Sequence, residues 1–232
     1  MKTIVCYGDS NTWGYDPSTA MRFARDVRWT GVLRRQLGDD YLVIEEGLNG
    51  RTTVWDDPIE GYKNGKDYLI PCLETHRPLD LIIIMLGTND LKMRFSVPAY
   101  DIANGVGVLV DVVQKSAAGP NDAAPQVLMI SPPRTTKLTD FAQMFAGAGP
   151  KSQEFAKEYK RVADEFGVHF LDADTIIKSS ELDGIHFERG EHDKLGKAVA
   201  AKVTEIFGSA KEANKPPQAS NKPAPDLGNV HF

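Results

Sequence analysis

Four positions in this chain carry residue types suited to moving a proton or steadying a developing charge, and each follows a short apolar run. The first is Gly8-Asp9-Ser10-Asn11. A serine between a strand end and the following turn can aim its hydroxyl and its own backbone N–H at one point, as a nucleophile and its oxyanion donor require. Taken alone, the tetrapeptide reads more often as a helix cap. The second is Gly50 in Glu45-Glu46-Gly47-Leu48-Asn49-Gly50-Arg51-Thr52-Thr53, where a glycine lets backbone approach a substrate oxygen, or simply makes a turn. The third is Gly87-Thr88-Asn89-Asp90. There Asn89 can present a side-chain amide, or serve as a turn residue, and Asp90 can cap the next helix. The fourth is Asp183-Gly184-Ile185-His186. A histidine three residues after an aspartate can donate Nδ1–H to the carboxylate while Nε2 faces a serine. Imidazole accepts and returns protons near neutrality.

The elements that must hold these residues are legible as alternation. Thr3–Tyr7, Tyr41–Ile44, Leu79–Leu86, Gln126–Ile130 and Val168–Leu171 read as strands. Between them, Asp26–Leu37, Lys66–Thr75, Ala99–Ala117 and Ser152–Phe166 read as helices, with a last helix over Glu188–Phe207. The Leu79–Leu86 run is too apolar for a half-exposed strand and is expected at the centre of a parallel sheet. Five strands joined through helices predict a three-layer α/β/α sandwich with a mostly parallel sheet. In such sheets sites form beyond the carboxyl ends of the strands, where all four motifs fall. One domain is expected over residues 1–208. Residues 209–232, with Pro216, Pro217, Pro223 and Pro225, read as a tail, either disordered or packed on its own or a neighbouring subunit through Val230-His231-Phe232.

A Ser, a Gly, an Asn and an Asp-x-x-His in this order, each after an expected strand, resemble the SGNH/GDSL hydrolase superfamily. Its blocks are matched by Gly8-Asp9-Ser10, Gly50, Gly87-Thr88-Asn89-Asp90 and Asp183-Gly184-Ile185-His186. The resemblance is closer to the bacterial arylesterase and acyltransferase branch, through Arg28-Trp29-Thr30-Gly31-Val32-Leu33, Glu45-Glu46-Gly47-Leu48, Arg51-Thr52-Thr53 and Ile83-Ile84-Met85-Leu86-Gly87-Thr88-Asn89-Asp90. It covers residues 3–207. Asn11 stands where the family name has Leu.

That resemblance implies a flavodoxin-like SGNH fold, with Ser10 as nucleophile, His186 as base and then acid, and Asp183 orienting and charge-balancing the imidazole. The oxyanion would meet the N–H groups of Ser10 and Gly50 and the amide of Asn89. The implied reaction is acyl transfer from short-chain or aryl esters to water or an alcohol, without metal or organic cofactor. Members of the branch often assemble into oligomers that narrow the entrance, so a homo-oligomer is expected. Trp13, Tyr15, Phe95, Phe141 and Ile185 are candidates for the substrate pocket. Other substrates of the superfamily stay open: acetylated carbohydrates, thioesters and lysophospholipids. A different class of function is a binding module in which Gly8-Asp9-Ser10-Asn11 cradles a phosphate at a helix N-terminus. It lacks the further glycines of a dinucleotide fingerprint and leaves Asp183 and His186 without a role.

Composition narrows the partners. The 232 residues, 41% hydrophobic and 25% charged with net charge −5, fit an ordinary globular enzyme. The acidic balance disfavours nucleic acid and anionic membrane as partners. No apolar run approaches the roughly 18 residues of a membrane span. Met1–Cys6 runs straight into a strand without a secretory pattern, so a cytoplasmic location is expected. Cys6 and Cys72 are too few for a disulfide framework and lack metal-ligand spacing.

Overall fold

The computed structural model describes residues 1–213, with side chains described through residue 208. Five strands, β1 (Lys2–Gly8), β2 (Tyr41–Gly47), β3 (Leu81–Met85), β4 (Gln126–Ser131) and β5 (His169–Asp172), form one sheet of order β2-β1-β3-β4-β5. Every neighbouring pair is parallel. The helices are α1 (Ser10–Trp13), α2 (Trp29–Leu37), α3 (Gly65–His76), α4 (Ala99–Gln114), α5 (Ala148–Gln153), α6 (Phe155–Phe166) and α7 (Arg189–Ala213). This is the expected α/β/α sandwich.

The period-two alternation of strand side chains divides the core into two layers. Val5 and Tyr7 of β1, with Ile82 and Ile84 of β3, pack on one face against Leu69 and Leu73 of α3, Ile102 and Val106 of α4, and Tyr159 and Val162 of α6. Ile4 and Cys6, with Leu81, Ile83 and Met85, face the other way against Trp29 and Leu33 of α2 and Leu195, Val199 and Val203 of α7. Strand β3 is buried along its whole length, as its unbroken apolar run predicts. The edge strand β5 is only partly buried.

The chain leaves β1 for β2 on one side and returns for β3 on the other. The sheet order therefore reverses at β1, and the crevice where an open α/β sheet binds ligands opens there. Gly8, Gly47 and Met85 lie level with one another at the carboxyl ends, so the loops after β1, β2 and β3 start side by side.

Several boundaries differ from the sequence reading; α2 starts at Trp29 and not Asp26, and β2 runs on past Ile44 to Gly47. The stretch expected as one helix over Ser152–Phe166 is two, α5 and α6, meeting at Glu154. Helix α4 stops at Gln114, before Ala117. Helix α7 does not stop at Phe207 but runs on to Ala213, so the proline-rich segment begins inside a helix. The tail beyond Ala213, with its proposed anchor Val230-His231-Phe232, lies outside the described residues. Among the described residues, no helix is long and apolar enough to cross a membrane.

Candidate active site

The turn after β1 resolves the ambiguity of Ser10. Asp9, and not Ser10, is the cap of α1: its Oδ1 accepts the Asn11 N–H at 2.9 Å. That leaves the Ser10 hydroxyl free to face the loop at the far end of the chain. His186 Nε2 stands 2.9 Å from Ser10 Oγ, and His186 Nδ1 stands 2.6 Å from Asp183 Oδ2. The other carboxylate oxygen, Oδ1, accepts the backbone N–H of Ile185 at 3.0 Å and of His186 at 2.9 Å. One aspartate thus folds the loop and orients the ring. Asn11 fastens this loop to α1 by donating Nδ2–H to the Ile185 carbonyl at 3.1 Å.

Burial alone would raise the Asp183 carboxyl, but hydrogen bonds from the His186 ring and the His186 and Ile185 N–H groups hold it below its usual value. It therefore stays an anion against the imidazole. Asp9 lies at the opposite extreme. Its burial pushes it up to about 6 against the pull of the Asn11 N–H and the His186 ring. A carboxyl already filling the amino end of a four-residue helix leaves little there for a phosphate. This counts against the phosphate-cradle reading.

The loops after β2 and β3 bring Gly50 and Asn89 to the same crevice. Gly50 takes φ +81°, a region that glycine enters without strain. Asn89 donates Nδ2–H to the Arg51 carbonyl at 3.1 Å. The Arg51 side chain, almost fully buried, is what sets this loop. Its guanidinium donates to the Gly8 carbonyl at 2.9 Å and to the Glu46 carbonyl, and lies over the Tyr7 ring at 4.2 Å. It thereby ties the ends of β1 and β2 together just beneath Gly50. Asp90 does not cap α4, as its place in the sequence suggests. It is fully buried and turns to Thr53 instead.

Ser10, Gly50, Asn89 and His186 line one cavity of about 180 Å³. Its apolar wall is made by Tyr15, Phe141, Met144, Phe145 and Ile185. Tyr15 stacks on the His186 ring with centroids 4.1 Å apart, and Phe141 meets it edge-on at 6.0 Å. Two expected pocket residues are not among those lining it. Trp13 lies under the Arg22 guanidinium, 4.9 Å from its ring centre, and Phe95 packs against the core. The sequence reading missed Asn49, Glu60, Lys92, Met144 and Phe145. Lys92 stands three residues after Asn89, a spacing that could have placed it at the same strand end.

The two cysteines stay reduced and buried. The fold nevertheless brings the Cys72 sulfur, His76 and Glu46 within 4.8 Å of one another, which their spacing in the sequence did not suggest. Burial, reinforced by Glu46, pushes the Cys72 thiol up to about 12, so it is protonated at neutral pH, while His76 Nε2 pairs with Glu46 at 2.7 Å.

A serine, a histidine and an aspartate in one hydrogen-bonded line, set in the crevice of a 2-1-3-4-5 parallel sheet, mark the class of SGNH hydrolases, and the fold is theirs. The chain belongs to the GDSL-like lipase/acylhydrolase family, whose model matches residues 6–189. Solved structures agree. The native aryl esterase of M. smegmatis is 47% identical with a TM-score of 0.86, covering 89% of this chain and 100% of its own. Est24, a carbohydrate acetylesterase from Sinorhizobium meliloti, is 43% identical with the same TM-score and coverage. A carbohydrate acetylesterase family member from the same organism is 38% identical at TM-score 0.86, covering 90% and 100%. No curated protein matches the chain.

Proposed function

We propose that this protein is a serine esterase that cleaves esters of short acyl groups through an acyl-enzyme on Ser10. The observation that carries the reading is the unbroken relay from Ser10 Oγ through His186 to Asp183, at 2.9 and 2.6 Å, facing a cavity of about 180 Å³.

In this mechanism His186 Nε2 takes the Ser10 proton as Oγ attacks the ester carbonyl. Asp183, held as an anion, steadies the imidazolium through Nδ1. The negative charge on the former carbonyl oxygen is met by the Ser10 and Gly50 N–H groups and the Asn89 amide. His186 then returns the proton to the leaving alcohol, and the ester on Ser10 is released by water or by a second alcohol. The residues supply nucleophile, base and oxyanion donors without an added group. Stacked on Tyr15 and edged by Phe141, the His186 ring meets the leaving group on an aromatic surface. Such a surface suits aryl esters and limits the water that competes with an alcohol for the acyl group.

The polar wall of the same cavity, Asn49, Glu60 and Lys92, supports a second reading, an esterase for acetylated carbohydrates. Assembly into a homo-oligomer belongs to the proposal as well. Ile59 and Met93, neighbours in the chain of cavity-lining Glu60 and Lys92, are 74% and 54% exposed and offer apolar surface for a second subunit. A second subunit seated there would narrow the entrance. Residues 1–208 form the catalytic unit in this reading.

The test is hydrolysis of p-nitrophenyl acetate, butyrate and octanoate, with phenyl acetate added, by wild type and Ser10→Ala. Turnover is expected to fall with chain length and to drop to background in Ser10→Ala. Wild-type turnover in that variant would end the reading. Alcohol titration with product analysis measures transfer, and size-exclusion with light scattering measures assembly.

A further inference from the structure

The catalytic cavity has one wall that hydrolysis of a plain ester does not use. Lys92, 2% exposed on its side chain, directs its ammonium to Asp57 Oδ2 at 3.3 Å and to Glu60 Oε1. Arg94 Nη1 donates to Asp57 Oδ1 at 2.8 Å and lies 3.7 Å from Glu60 Oε1. Asp57 Oδ1 also accepts the N–H groups of Ile59 and Glu60 at 2.9 and 3.0 Å. The Glu60 backbone and one of its carboxylate oxygens are thus fixed by neighbours that are themselves buried or half-buried.

The second oxygen, Oε2, is left over. It has no hydrogen-bond partner among the described residues. It stands beside Gly50, 2.5 Å from the point that a Cβ on that residue would occupy. The glycine therefore gives the carboxylate room next to a proposed oxyanion donor. With its side chain 31% exposed, Glu60 is open to the cavity that it lines. A carboxylate only accepts hydrogen bonds, so its complement must donate one. Two carboxylates, Asp57 and Glu60, face two cations, Lys92 and Arg94, within the cluster. The Lys63 side chain comes to the same point beside Gly50, its Cε 3.2 Å away, so no negative charge is in excess there and a neutral hydroxyl suits the place better than an ammonium group.

We propose that Glu60 is a specificity residue whose Oε2 accepts a hydrogen bond from a hydroxyl of the substrate, so that small hydroxylated esters are preferred over their alkyl counterparts. This rests on the esterase reading above and adds to it a substrate class and the residue that selects it. Lys92 acts through Glu60 by holding Oε1 and so presenting Oε2. The hydroxyl can come from the alcohol half of the ester or from its acyl half.

Two pairs of esters, matched in size, separate the sources: 2-hydroxyethyl acetate against propyl acetate, and ethyl 3-hydroxypropanoate against ethyl butanoate. A hydrogen bond to a charged acceptor predicts a preference of roughly tenfold to a hundredfold in kcat/KM for the hydroxylated member of at least one pair. The pair that shows it names the half of the ester that Glu60 reads. In Glu60→Met the preference should fall to about one. In Glu60→Gln, where the amide oxygen turns to Lys92 and an NH₂ faces the cavity, it should fall to an intermediate value. Urea denaturation of both variants confirms that they are folded. If wild type shows no preference in either pair, or if the folded variants keep it, Glu60 does not read a hydroxyl, whatever the enzyme does to aryl esters. Absence of Ser10-dependent turnover on p-nitrophenyl acetate is a separate result, and it removes the esterase reading and this subsite together.

Discussion

Asp90 grips Thr53 through its backbone and its side chain. The Thr53 N–H lies 3.0 Å from Oδ1 and 3.2 Å from Oδ2, and the Thr53 hydroxyl donates to Oδ1 at 2.5 Å. The loop that carries Gly50 is thereby bound directly to the loop that carries Asn89. Burial pushes Asp90 up to about 6 despite the Thr53 bonds. Folding thus favours its protonated form. Its contribution to stability is full below the unfolded value near 3.8 and is lost as pH rises through about 6. Replacing it by Asn removes that dependence. Relative to wild type, Asp90→Asn should be more destabilised at pH 5 than at pH 8, by about 1 kcal/mol. Urea-unfolding midpoints at the two pH values measure the difference.

His192 gives the opposite slope. It is fully buried at the start of α7, where Nδ1 accepts the Trp29 N–H at 3.2 Å and Nε2 has no partner among the described residues. Burial, helped by the charges of His186 and Arg28, lowers it to about 3. The folded state holds it neutral, so its contribution is full above 6.5 and drains away as pH falls toward 3. At pH 4.5 the loss is about 2–3 kcal/mol. His192→Gln should lose less stability between pH 7 and 4.5 than wild type does, read by the same denaturation. An equal loss in both would show that His192 is not the group responsible.

Lys92 tests how much the charged wall of the cavity contributes to the fold. Of its two partners, Glu60 and Asp57, the Asp57 carboxylate has a side chain with no exposure at all. Burial alone would raise that carboxyl. The Glu60 and Ile59 N–H groups, with Arg94 and Lys92, instead hold it well below the usual range. Removing one member of such a buried pair leaves the other charge uncompensated, and Lys92→Met should cost about 3–5 kcal/mol. A melting temperature within a degree of wild type would mean that Arg94 alone satisfies Asp57.

Asn89 separates catalysis from folding. Asn89→Ala deletes one proposed oxyanion donor and the bond to the Arg51 carbonyl, while Asp90 and Thr53 still hold the two loops together. kcat on p-nitrophenyl acetate should drop by about 10²–10³ in a protein that stays folded. A rise in KM with kcat unchanged would instead give Asn89 a role in ground-state binding.

Much of this architecture is legible in the sequence because β1, β3 and β4 are apolar enough to mark their own ends, and Ser10 and Asn89 sit just past the ends of β1 and β3, with Gly50 just past the shorter apolar run of β2. What stays hidden depends on contacts across the fold. Glu60 lies in a loop without periodicity, and its partner Lys92 is 32 residues away. Asp90 precedes a helix in the sequence and so looks like a cap, yet its burial commits it to Thr53. Trp13 and Phe95 are near the motifs along the chain, but Arg22 and the core claim their rings. The end of α7 is hidden in the sequence because the proline content of residues 209–232 is an average, and the prolines begin only at Pro216.

Ser10 and His186 meet across 176 residues of chain. As a ribosome makes the protein, the serine emerges near the start and its histidine partner only after all five strands have been synthesised. With Ser10 as the proposed nucleophile, its reaction with a fluorophosphonate would report on the joining of the two ends of the domain. The enzyme carries its own folding sensor, and a nascent chain halted before residue 183 should leave that probe unreacted.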